Sequence, residues 1–177
     1  MNQKLTNIFA NVGPSLISVQ QLLTAGAYII GISFIIRGVM ALKQLAEHKN
    51  SMGQQHSMKE PMFYILSGAM LLYFPTGLKV FLRTTFGSEQ ILSYNSLNLS
   101  STFFSNAGNI SANVFLFVQV IGYVAFIRGW IIIAKSSSQG GGQHGSFGKG
   151  LMHVFGGVLG INIVQTLNVI NNTLIGG

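Results

Sequence analysis

The sequence predicts an all-α polytopic membrane protein, with four transmembrane helices arranged as two tandem parallel helical hairpins. Three observations carry this. Of 177 residues, 49% are hydrophobic and only 7% are charged, against about 25% charged in soluble domains. So few charges cannot cover a water-facing surface, whereas lipid can cover the rest. Second, four apolar runs are separated by polar segments. Third, one pattern occurs twice: residues 31–43 read GISFIIRGVMALK, and residues 122–135 read GYVAFIRGWIIIAK. Gly31 and Gly122 are 91 positions apart, as are Arg37 and Arg128. A polar, histidine-containing loop and a second apolar run follow each copy. Recurrence at a fixed spacing is the mark of a duplicated unit.

The first helix is expected from about Ser15 to Leu45. Its apolar part, Leu16 to Leu42, exceeds the ~20 residues needed to cross a bilayer. Residues 46–60 form a polar loop, and Pro61 suits the first turn of a new helix, where its missing N–H is no loss. The second helix is expected from Pro61 to Phe86, kinked or broken by Pro75. Residues 87–112, rich in Ser and Asn, read as an extramembrane connector. The third helix covers Asn113 to Lys135, a glycine-rich loop covers 136–150, and the fourth helix covers Leu151 to Leu174. The chain thus divides into a first hairpin (1–95), a polar connector (96–112) and a second hairpin (113–177).

The second runs also correspond. Gly68, Leu78, Val80 and Gly87 precede Gly157, Leu167, Val169 and Gly176 by 89 positions. Two spans per repeat make the repeats parallel, not inverted. Ala25-Gly26-Ala27 mimics a signal cleavage site. The apolar stretch before it is short and broken by Gln20 and Gln21, and apolar residues continue beyond, so an uncleaved first helix is expected.

Ten Lys and Arg face three acids, Glu47, Glu60 and Glu89. The basic residues are spread along apolar segments and their edges, not gathered as a groove for nucleic acid. Lys43, Lys49, Lys59, Lys135 and Lys149 lie in or beside the two hairpin loops. Lys4, Lys79 and Arg83 lie toward the other ends. Short basic loops stay in the cytoplasm, so a bacterial inner-membrane location is expected, with hairpin tips cytoplasmic and the connector and both termini periplasmic.

Arg37 and Arg128 are the sharpest positions, because a charge in a membrane helix costs roughly 2.5–3.5 kcal/mol at its centre and less near an end. Both sit toward the loop end. Either they snorkel to lipid headgroups or they face a lumen or a neighbouring subunit. Small residues at four-residue spacing, Ala27/Gly31, Ala125/Gly129 and Gly156/Gly160, are expected to pack helices closely. Asn162, Gln165 and Asn168 share a helical face, which either bonds to another helix or lines water. No intramembrane acid is present to carry a coupled ion.

No cysteine is present, which excludes disulfides and thiolate chemistry. The four histidines lack ligand spacing, so no metal is expected. No serine sits in a triad-like constellation, and the glycine run at 140–142 lacks the end of a phosphate loop. The sequence therefore points to no catalytic residue, no cofactor and no enzymatic role.

The string LLTAGAYIIGISFIIRGVMALKQLAEHKNSMG, followed by KEPMFYILSGAMLLYFPTGLKVFLRTTFG, resembles the IcmC/DotE family of Dot/Icm type IVB secretion systems, which is similar to the TraQ proteins of conjugative plasmids. The resemblance covers residues 15–95. Its markers are Arg37 with Leu42-Lys43, the Ser/Met/Gln loop, and Gly68 through Phe74-Pro75 to Phe86-Gly87. It implies a structural inner-membrane subunit of a transfer apparatus, with the lipid bilayer, other secretion-system subunits and further copies of itself as partners. Transient contact with translocated protein or nucleic acid would follow if Arg37 and Arg128 formed a positive belt in a ring of copies. A looser resemblance is to a tandem conjugative pilin. The alternatives it leaves are a subunit polymerising into a pilus or conduit, and a free-standing small channel.

Overall fold

A computed structural model of the chain describes residues 2–47, 58–91, 108–136 and 146–174. All regular structure among them is helical: α1 (Asn2–Glu47), α2 (Lys59–Leu72), α3 (Phe74–Phe86), α4 (Gly108–Lys135), α5 (Ser146–Ile161) and α6 (Ile163–Leu174). Two stretches, Ser15–Glu47 and Val114–Lys135, are by themselves long and apolar enough to cross a membrane. The count rises to four if α2–α3 and α5–α6 each make one broken span. The chain is a helical membrane protein.

Several boundaries differ from the sequence reading. α1 begins at Asn2, not Ser15, and runs through Pro14. Leu5, Ile8 and Phe9 extend the apolar helical spacing beyond the proline. α4 begins at Gly108, not Asn113. α5 begins at Ser146, inside the expected loop. Gly148 and Gly150 each cost about 1 kcal/mol relative to alanine in a helix, which is why the sequence reads as loop there. At Gly150 a tertiary contact outweighs that cost, because a Cβ there would stand 3.0 Å from the Gly129 carbonyl.

The second expected helix is two helices, α2 and α3, meeting at Tyr73 with a bend of 92°. The fourth is likewise two, α5 and α6, meeting at Asn162 with a bend of 89°. Tyr73 and Asn162 are 89 positions apart, and the backbone bonds around them match. The Tyr73 N–H donates to the Ala69 carbonyl (2.9 Å), and the Asn162 N–H donates to that of Val158 (3.2 Å). The next turn opens with Gly77 N–H on the Tyr73 carbonyl (2.7 Å), and with Thr166 N–H on the Asn162 carbonyl (3.0 Å). Pro75 lies just past the first break, as expected. Its counterpart in the second half is Val164, so a bend of this kind forms without proline there.

The chain forms two compact units, each drawing on both halves of the sequence. One comprises Thr24–Gly77 and Ala125–Phe155. Its core holds Ala27, Phe34, Tyr64, Leu71, Phe74, Phe126, Trp130 and Val154. Phe34 meets Tyr64 edge to face, as Phe74 meets Phe126, each with centroids 5.6 Å apart, a geometry the ring quadrupoles favour. The other unit comprises Met1–Leu23, Leu78–Val124 and Gly156–Gly177. It buries Leu16, Leu78, Leu82, Phe115, Val158, Ile161 and Val164, with polar Gln119 and Asn162 among them. α3 ends at Gly87, whose φ of +72° is the left-handed cap that glycine adopts without a Cβ penalty. There the Gly87 N–H donates to the Arg83 carbonyl at 2.8 Å.

Candidate functional site: glycine seams and basic helix ends

Glycine removes the side chain between two helices, so backbones can touch where lipid supplies no hydrophobic drive to association. The chain uses this at matched positions in both halves. A Cβ on Gly31 would stand 2.9 Å from the Gly68 carbonyl oxygen and 2.9 Å from the Leu72 nitrogen. A Cβ on Gly122 would stand 2.9 Å from the Gly157 carbonyl oxygen and 2.5 Å from the Ile161 nitrogen. Two turns further on, Gly38 faces Pro61 and Ile65, and Gly129 faces Gly150 and Val154. Every first-helix partner shifts by 91 between halves, and every second-helix partner by 89. In both seams the later residue of the long helix meets the earlier residue of its partner, so the contacting helices run antiparallel.

Of the small residues expected to pack, Ala27 is fully buried, Gly31 and Gly129 are buried, and Ala125 and Gly160 are half-buried. Gly160 approaches Gly122, whose Cα would lie 3.3 Å from its Cβ. Gly156 takes no part in a seam within this chain: it is exposed, with nothing within 4 Å of where its Cβ would stand. Its neighbour Gly157 takes the seam position. Gly38, Gly68, Gly122, Gly150 and Gly157 complete the seams. The paired 91 and 89 spacing finds all of them but Gly150, whose counterpart is Pro61; the four-residue spacing within one helix does not.

Asn162 stands at the α5–α6 break, just ahead of the helix that carries Gln165 and Asn168. It is buried at the break, where its side-chain amide donates to the Gln90 carbonyl at 3.2 Å. The Thr166 hydroxyl donates to the carbonyls of Leu159 (2.9 Å) and Asn162 (3.1 Å), oxygens beside the break. A broken helix inside apolar surroundings needs such replacements for its lost backbone bonds. Gln165 and Asn168 are half-buried. The Ser67 hydroxyl, beside Gly68, is buried with no hydrogen-bond partner among the described residues.

Arg37 and Arg128 are both exposed. Each immediately precedes a seam glycine, Gly38 or Gly129, which sets its level along the partner helix. Lys43, Lys59, Lys135 and Lys149 are exposed at the same helix ends. Lys43 forms an exposed ion pair with Glu47 at 3.6 Å, of a kind worth about 0–1 kcal/mol. Arg83 reaches Glu89 at 3.2 Å. Lys49, His48, His56, His144 and the connector 96–112 up to residue 107 lie outside the described residues. His153 Nδ1 lies 2.7 Å from the Lys149 carbonyl, and no cluster of metal-ligand side chains occurs among the described residues.

No family model, no curated protein and no solved structure matches this chain.

Proposed function

We propose that this chain is a structural inner-membrane subunit of a bacterial type IVB secretion or conjugation apparatus, crossing the membrane four times as two parallel hairpins. The observation that carries the reading is what the family-like residues do in the fold. Gly68 forms the backbone contact with Gly31. Phe74, buried to 1% exposure, starts the helix beyond the break, and Gly87 supplies the left-handed cap. These markers act in packing and chain direction, which is the work of a scaffold.

In this reading α1 and α4 are full crossings. α2 and α5, of 14 and 16 residues, are about 21 and 24 Å long at 1.5 Å per residue, rather short of the ~30 Å hydrocarbon layer. α3 and α6 leave them at nearly right angles and lie along the periplasmic interface. The exposed apolar side chains of α1, among them Ile29, Ile32, Val39 and Met40, face lipid or neighbouring subunits. Polymerisation into a pilus or action as a lone channel has no specific observation behind it.

The test is deletion of the chain in a bacterium that carries it. Membrane-complex assembly is read on native gels, and substrate transfer between cells is read alongside. Loss of both, restored by the intact chain, supports a scaffold. An intact complex and undiminished transfer after deletion would refute it.

A further inference from the structure

We infer that the basic end of each half is a binding site for anionic phospholipid headgroups, and that the second half holds the stronger one. Each half repeats one triplet. Arg37 matches Arg128 at the spacing of 91, Lys43 and Lys59 have counterparts in Lys135 and Lys149 one position beyond strict register, and all six are exposed in the same compact unit. In each triplet the arginine is fixed in depth by the glycine after it. Gly38 would place a Cβ 3.3 Å from the carbonyl of Pro61, and Gly129 would place one 2.8 Å from that of Gly150. Both arginines are thus level with the opening turns of the next helix, the turns that carry Lys59 and Lys149. Lys43 and Lys135 lie about 9 and 10 Å further toward the loops along their helices, at 1.5 Å per residue.

What surrounds the arginines decides between a lipid phosphate and a water-filled lumen. Arg37 is flanked by Ile36 and Met40, 49% and 57% exposed, and Arg128 by Val124, 46% exposed. A lumen passing a polar substrate needs polar neighbours there. Acyl chains need these apolar ones, with a cation reaching up to the headgroup. Neither arginine forms an ion pair among the described residues. The charge balance separates the halves. The acids of this unit, Glu47 and Glu60, both belong to the first half, and no acid follows Glu89 anywhere in the chain. Lys43 of the first triplet pairs with Glu47, whereas the second half brings no acid of its own beside Arg128 and Lys149. This inference needs only a membrane location, and it stands or falls apart from the secretion role.

The experiment is native mass spectrometry of the full chain, purified in detergent and supplied with phosphatidylglycerol or phosphatidylcholine. Intact protein is expected to retain phosphatidylglycerol preferentially. Each basic residue near an anionic surface is worth roughly fivefold in affinity, so R128Q should lower retention by about that factor. R37Q should lower it less, R37Q/R128Q should lose the preference, and R128K should keep it. Inorganic phosphate alone should not compete, which separates a lipid site from a free-anion site. K149Q, at an exposed helix start, gives the same reading should the arginine variants fail to fold. Equal retention of both lipids, an unchanged preference in R37Q/R128Q or K149Q, or displacement by free phosphate would each overturn the inference.

Discussion

Tyr73 and Asn162 occupy the same place in the two halves of this chain, each ending one helix where the next departs at about a right angle. The two residues share no chemistry. Their backbones nevertheless make the same pair of bonds, to residues four before and from residues four after. The bend is a property of the repeated plan, and side chains adapt to it locally.

Pro75→Ala should therefore leave the first bend in place. Proline at the second position of a helix blocks no bond that is otherwise made, and the second half bends with valine there. Spin labels on Met62 and Val80, both exposed, should give the same distance distribution with and without the substitution. Straightening of the α2–α3 junction would show that proline drives it.

Seam glycines and free glycines should respond oppositely to alanine. Gly122→Ala and Gly129→Ala force a methyl within 2.9 Å of partner backbone atoms, and overpacking of this kind costs about 1–3 kcal/mol. Gly156→Ala, with open space around it, should be neutral or stabilising by up to about 1 kcal/mol, the gain in helix propensity. Thermal unfolding in detergent, followed by circular dichroism, ranks the three. Equal behaviour at all three positions would contradict the seams.

The all-helical class, the long apolar runs and the repeated arginine–glycine pair were legible because composition and spacing report them directly. The helix break was legible only at Tyr73, where Pro75 stands beside it. At Asn162 no proline marks the chain, and the bend depends on matched tertiary surroundings. The start of α5 was hidden for a related reason: Gly148 and Gly150 read as loop by propensity, and the contact of Gly150 with α4 cannot be seen locally. The same limit explains Gly156. Its four-residue spacing to Gly160 is real, but the phase of the helix against α4 puts Gly157 at the seam.

The Asn162 amide should be worth more than the Ser67 hydroxyl. Asn162→Leu removes the bond to the Gln90 carbonyl from a buried position. Gln90 is exposed, so water can replace the donor, and a loss near 1 kcal/mol is expected, the low end for a broken bond. Ser67→Ala removes a buried hydroxyl that has no partner among the described residues and should be neutral or stabilising. Melting temperatures of the two variants check this, and the reverse order would contradict the assigned partners.

α3 should lie along the interface and not continue through lipid. Leu78 and Leu82 are buried, while Lys79 and Arg83 between and beside them are exposed. Cysteines at 79 and 83 should react with a membrane-impermeant maleimide added from the periplasmic side, and a cysteine at 82 should not. Protection of all three would return α3 to the hydrocarbon layer.

Four crossings in two parallel hairpins are tested most directly by reporter fusions at residues 52, 98, 142 and 177. Alkaline phosphatase should be active at 98 and 177 and silent at 52 and 142, with a cytoplasmic fluorescent reporter giving the inverse pattern. The same reporter active at both 52 and 98, or at both 142 and 177, would mean that a bent pair, α2–α3 or α5–α6, does not cross, and the two-hairpin arrangement would be wrong.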